Sequence, residues 1–152
     1  MISKKMQDAI NDQINAELYS SYLYLSMSAQ AEDWNLPGFA SWLKKQSEEE
    51  TEHGEKLYEH MVDRGGRVVL KAIDAPATEW KSPLEMFEEV YAHEQKVTSL
   101  IHGLLATARG ENDYAAEVML HWFVDEQVEE EANSSQIAEQ LKMMDRGLGA
   151  RE

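Results

Sequence analysis

Four stretches of this chain repeat apolar residues at three- and four-residue steps, and each stripe is broken near its middle by a carboxylate. That spacing predicts four amphipathic helices. The first stripe reads Ile10, Ile14, Glu17, Ser21, Tyr24, and the second Phe39, Leu43, Gln46, Glu50, His53, Leu57, Met61. The third reads Phe87, Val90, Glu94, Val97, Ile101, Leu104, and the fourth Leu120, Phe123, Gln127, Glu130, Ser134, Ile137, Leu141. If the stripes face one core, Glu17, Glu50, Glu94 and Glu130 meet at one level of it. Four uncompensated carboxylates there are intolerable, because desolvation and mutual repulsion both oppose ionisation. Protons or cations must balance them.

The boundaries predict an all-α four-helix bundle with helices over about 3–32, 36–64, 82–109 and 112–146, in one domain spanning 1–152. The turn DWNLPG offers Asn35 as an N-cap and Pro37 in the first turn of the second helix. Gly65-Gly66 stops that helix. Ser82-Pro83-Leu84-Glu85 reads as a capping box for the third, Asn112 or Asp113 caps the fourth, and Gly147 and Gly149 lie beyond its end. Short links make antiparallel pairs of helices one and two, and of three and four. RVVLKAIDAPATEWKS between helices two and three is longer. About sixteen extended residues reach roughly 53 Å, and a helix of about 28 residues is roughly 42 Å long. This crossover therefore has the reach to run the bundle's length and leave helices two and three parallel.

Composition narrows the function. The chain has 152 residues, a hydrophobic fraction of 43%, four Trp and six Tyr, which is enough for a sizeable core. Its net charge of −15 repels phosphate backbones and attracts cations, so nucleic acid is not an expected partner. With no Cys, thiolate zinc sites and iron–sulfur clusters are excluded. MISKKMQDAINDQ has no apolar signal core, and no run approaches membrane-spanning length. A cytoplasmic protein is expected, with no membrane partner.

His53 lies one turn from Glu50 on the same face, a spacing that lets both bind one metal. Four carboxylates carry −4 and two divalent ions carry +4. Oxygen ligands with one imidazole suit iron or manganese better than structural zinc. One Glu-x-x-His alone is weak, since most helical Glu residues are solvated. Four interruptions at one level point to a dinuclear centre. A metal-free structural bundle would bury four carboxylates to no purpose.

INAELYSSYLYLSM, GFASWLKKQSEEETEHGEKL, RGGRVVL, VYAHE and WFVDEQVEEE, in this order and spacing from about Met6 to Asp145, resemble the non-haem ferritins of bacteria and archaea. The resemblance implies a ferritin-like bundle in which Glu17, Glu50 and His53 hold a first iron, and Glu50, Glu94 and Glu130 a second. Gln127 would hydrogen-bond beside the second iron. Helix four carries Gln127-x-x-Glu130 where bacterioferritins repeat Glu-x-x-His, and Glu52 stands where a haem-ligating Met would be, so haem is not expected. Glu49, Glu126 and Glu129, with Glu130, match a third iron site opening on a shell interior; the alternative for them is a solvated acidic face. Tyr24 is either an electron donor or a core Tyr with a bonded hydroxyl. Trp122 is a similar neighbour, Glu48 and Glu52 are expected in solvent, and His60, His93, His102 and His121 receive no role.

The implied function is iron storage with ferroxidase activity, Fe²⁺ and dioxygen or peroxide being the substrates, in a homo-oligomeric shell of twenty-four subunits. Val68, Val69, Leu70, Ile73 and Trp80 either meet a neighbouring subunit or pack on their own bundle. The chain ends LKMMDRGLGARE, where the family usually adds a short fifth helix. The competing expectation is therefore a di-iron oxidase, active against peroxide, without a closed shell. A DNA-protecting relative is disfavoured, because its site lies between subunits and this one assembles from four helices of one chain.

Overall fold

Ser3 opens the first helix by accepting a hydrogen bond from the Met6 N–H at 3.2 Å, satisfying one of the free donors at a helix start. The computed structural model describes residues 1–149, with side chains to residue 146. It contains α1 (Lys4–Asp33), α2 (Pro37–Asp63), α3 (Pro83–Gly110) and α4 (Tyr114–Gly149). Ser82 caps α3 through the Glu85 N–H at 3.1 Å, while the Glu85 carboxylate turns back to the Lys81 N–H at 2.7 Å. Asp113 caps α4 through the Ala116 N–H at 3.0 Å. No helix follows α4 among the described residues.

Three helices end in the same double closure. Leu36 and Asn35 donate backbone N–H groups to Ala31 and Glu32, Gly66 and Gly65 to Met61 and Val62, and Asp113 and Asn112 to Ala108 and Arg109. This closure needs a left-handed residue at its centre. Asn35, Gly65 and Asn112 supply it, with φ of 60°, 73° and 53°. Asn35 is thus not the N-cap of α2, because an N-cap is extended and this residue is committed to ending α1. Leu36 takes the cap position without a side-chain bond, and Pro37 starts the helix. At the other end, α4 continues past Arg146 to Gly149. Each glycine costs a helix about 1 kcal/mol relative to alanine, a penalty and not a stop.

The crossover follows α1 upward. Arg67 N–H donates to Gln7, Asn11 bonds Arg67 and Val69, Asn15 bonds Lys71 and Ala72, and Ser26 donates to the Ala77 carbonyl at 2.7 Å. Register therefore rises from residue 7 to 26 as the link rises from 67 to 77. α3 then begins beside the start of α2, where Phe87 packs on Phe39 and Trp42. The two helices run parallel, as expected. At the opposite end Arg64, closing α2, pairs with Asp113 before α4 at 2.7 Å. The crossover's apolar residues divide. Trp80 is buried and Val68 packs on the lower core, whereas Val69, Leu70 and Ile73 are exposed.

Two apolar clusters fill the bundle. The lower one joins Ile10, Ile14, Leu57, Met61, Val97, Ile101, Leu120 and Phe123; the upper one joins Leu23, Met27, Leu43, Met86, Phe87 and Val90. Between them lies a layer of buried polar residues, including Gln13, Glu17, Ser20, Gln46, Glu50, His53, Glu94, Gln127 and Glu130. Ser20, not Ser21, belongs to this layer. Ser21 is half-buried and bonds the Ser47 carbonyl and Thr51 across the α1–α2 seam at 2.8 Å.

Asn35→Ala should cost about 1 kcal/mol, the penalty of a left-handed L-residue without a compensating side chain, while Asn35→Gly should keep parent stability. Denaturant midpoints of the two variants check this.

Candidate metal centre

Each helix contributes to the layer at the point where its apolar stripe breaks. α1 supplies Glu17, α2 Glu50 and His53 one turn apart, α3 Glu94, and α4 Gln127 and Glu130. Ligand atoms of Glu17, Glu50 and His53 lie within 4.8 Å of one another, and so do those of Glu50, Glu94 and Glu130. The two sets share Glu50. His53 Nδ1 is 3.3 Å from Glu50 Oε2 and 4.0 Å from Glu17 Oε2. Glu17 Oε2, both oxygens of Glu50 and His53 Nδ1 are buried with no hydrogen-bond partner. Such orphans cost on the order of 1–3 kcal/mol each, more when charged, unless something fills the space between them. A cation does so, and carboxylate oxygens with one imidazole nitrogen suit a divalent transition metal.

One oxygen of Glu17, one of Glu130 and both of Glu94 are engaged. Gln13 donates to Glu17 Oε1 at 3.0 Å, Gln46 to Glu130 Oε2, and the Tyr24 hydroxyl to Glu94 Oε1. Gln127 donates to Glu94 Oε2 at 3.1 Å and lies 3.2 Å from Thr98 Oγ1. Thr98 in turn donates to Glu131 at 2.6 Å.

Electrostatics agree with geometry. Burial, then the neighbouring Glu50, holds the Glu17 carboxyl well above the usual carboxylate range. Burial pushes up Glu50, with Glu94 and Glu130 adding repulsion, and burial also raises Glu94 despite its bonds from Tyr24 and Gln127. Glu130 is pushed up to about 9 by burial and by Glu94. Tyr24, buried against Glu94 and Glu50, is held as the neutral phenol. The metal-free layer therefore stores protons, which a divalent cation would displace.

The outer acidic residues do not converge in the same way. Glu49 and Glu126 are half-buried and Glu129 is exposed. Among the described residues they form no third three-ligand group with Glu130. Glu129 neighbours Glu130 in sequence, and adjacent helix positions point to different faces. Glu126 Oε1 nevertheless lies 3.8 Å from His53 Nε2. Both line a cavity of about 340 Å³ with Glu49, Glu52, Lys56 and Trp122, so this opening reaches the layer's edge. Trp122 stands edge-on to His53 at 5.3 Å, with the Lys56 ammonium 3.6 Å above its ring. Glu48 and Glu52 are exposed, as expected.

Residues 7–144 match the family model for a ferritin-like domain. The chain belongs to the ferritin family. It is 46% identical over 142 residues to a bacterial non-heme ferritin of Bacteroides fragilis, covering 93% of this chain and 89% of that one. It is 44% identical to that of Staphylococcus saprophyticus, covering 87% and 79%. Among solved structures it is similar to an open pore ferritin of Archaeoglobus fulgidus, with 48% identity, a TM-score of 0.93 and coverage of 94% and 87%.

Several residues of this ferritin's layer were not singled out in the sequence. Gln13 sits one turn before Glu17, and Gln46 was read only as a member of the stripe. A glutamine one turn from a buried Glu was the available signal for the first. The bond from Gln46 crosses from α2 to α4 and has no sequence signature. His93, given no role, packs edge-on to Tyr24 and bonds Ser20 Oγ at 2.8 Å.

The raised carboxylates fix the pH response of the metal-free ferritin. Glu130, at 4.5 when unfolded and about 9 when folded, keeps a proton in the folded state that the unfolded state has released. Its stabilising effect is complete below pH 4.5 and is lost as pH rises through 9. Stability should fall from pH 5 to 9, and Glu130→Gln should raise it at pH 8 by roughly 1–3 kcal/mol. Urea unfolding with chelator present measures both.

Proposed function

We propose that this ferritin oxidises Fe²⁺ at a two-iron site within one chain and stores the ferric product inside a shell of identical copies. The observation that carries this reading is the pair of ligand sets joined by Glu50, with its four orphaned atoms. Glu17, Glu50 and His53 would bind one Fe²⁺, and Glu50, Glu94 and Glu130 the other. Two Fe²⁺ give up one electron each, and dioxygen or peroxide takes the pair. Carboxylates favour Fe³⁺ over Fe²⁺ because their Coulomb attraction grows with the ion's charge. As iron enters, the carboxyl groups release the protons that burial had kept on them. Gln127 would steady Glu94, and Tyr24 would supply a further electron to the oxidant while its hydroxyl proton passes to the Glu94 carboxylate it is bonded to. Glu49 and Glu126, which line the cavity beside His53, and the exposed Glu129 would meet iron on its way out. The matched relatives are non-heme ferritins, which supports iron without haem.

Storage is supported by family membership and by the exposed Val69, Leu70 and Ile73, which suit contact between copies. No described helix is long and apolar enough to cross a membrane, and cytoplasmic residence is proposed with the storage role. A second reading is oxidation without a closed shell, and the description of a similar protein as an open pore ferritin favours it. The Archaeoglobus fulgidus protein is described as an open pore ferritin, and a closed form of it has been engineered by site-directed mutagenesis.

Glu50→Ala removes a ligand from both sets and should slow Fe²⁺ oxidation by more than about 100-fold, beyond the range of an outer-shell change. Stopped-flow absorbance reads the rate, and parent-rate oxidation would sink the site assignment. Aerobic Fe²⁺ loading followed by gel filtration separates the two functions. Hundreds of irons per particle are expected for a store; about two per chain would leave an oxidase only.

A further inference from the structure

Three glutamines lie in the buried layer, and each donates its amide to a different carboxylate. Gln13 serves Glu17 Oε1, Gln46 serves Glu130 Oε2 from across the bundle, and Gln127 serves Glu94 Oε2. Glu50 is the one carboxylate of the four that no amide touches, and both of its oxygens are orphaned. An amide on one oxygen fixes the rotamer of a carboxylate and turns its other oxygen to a single task. A carboxylate with both oxygens free is able to span two cations.

We infer that Gln13 and Gln46 are positioning residues that hold Glu17 and Glu130 as terminal ligands and leave Glu50 as the bridge. The inference rests on the two-iron reading above. The chemistry of the donors supports it. A Lys or Arg would orient a carboxylate equally well, but its charge would compete with the incoming ions. The amide orients the ligand, stays neutral at every pH and leaves the layer's negative charge for metal. Holding Glu17 and Glu130 in place beforehand also reduces the ordering cost that binding would otherwise incur. The two glutamines act on different sets: Glu17 belongs with His53, and Glu130 with Glu94. Their effects should therefore separate.

The test uses Gln13→Met and Gln46→Met, which keep the side-chain length and remove the donor, in the full assembled protein freed of metal. Co²⁺ is titrated anaerobically by calorimetry and followed by its visible absorption bands, which report coordination. The parent should bind two Co²⁺ per chain. Gln13→Met should weaken one of them about 10–100-fold, the usual consequence of losing a partner that orients a ligand, and should shift that ion's bands. Gln46→Met should do the same to the other ion. Far-ultraviolet circular dichroism verifies that each variant keeps its helices. Two ions bound at parent affinity with unchanged bands in the variants would overturn the inference alone. Equal loss of both ions in either variant would overturn it too, since that is the signature of damaged packing. A parent that binds no Co²⁺ would overturn the two-iron reading, and this inference with it.

Discussion

Four carboxylates in a dry interior repel one another, and the rest of this structure follows from how that repulsion is managed. Apolar clusters above and below the layer supply the stability that the layer itself withdraws. Each fully buried Leu, Ile, Met or Phe contributes roughly 1.5–3 kcal/mol, so two such clusters are able to carry an internal defect. The four helices need only keep one level in register. They do so through ties at the bundle ends, such as Arg64 to Asp113, and through the crossover's bonds to α1.

The long crossover is what makes an intrasubunit site possible. It lays α3 parallel to α2, so that Glu94 approaches Glu50 and Glu130 while Glu17 and His53 approach Glu50 from the other side. Protonation compensates the layer when metal is absent, with Glu130 held up to about 9. Cations would compensate it otherwise. The same fold would thus have two charge states, and the cavity beside His53 and Glu126 reaches the layer's edge.

Most of the architecture was legible in the sequence because helical periodicity and punctuation are local signals. Ser3, Ser82, Asp113, Pro37 and Gly65 each act within a few residues, and all mark helix ends. The carboxylates were legible because a Glu inside an apolar stripe is anomalous wherever it occurs. Asn35 was misread because Asn serves both as an N-cap and as a left-handed closing residue, and only the chain's path decides between them. Ser20 and Ser21 are neighbours at the edge of the stripe, where a small rotation of α1 exchanges them. The crossing bond from Gln46 to Glu130 depends on how α2 and α4 face each other, which no local pattern encodes. The outer residues Glu49, Glu126 and Glu129 were grouped by resemblance alone, because no local pattern separates an acidic helix face beside a metal site from one that meets only water; Glu49 and Glu126 do line one cavity.

The central claim is that the buried carboxylates exist to hold two iron ions bridged by Glu50. Anomalous diffraction at the iron edge, from crystals soaked anaerobically with Fe²⁺, tests it most directly. The account predicts two peaks inside each chain's bundle, one among Glu17, Glu50 and His53 and one among Glu50, Glu94 and Glu130. Density confined to the acidic surface, with the layer empty, would contradict it.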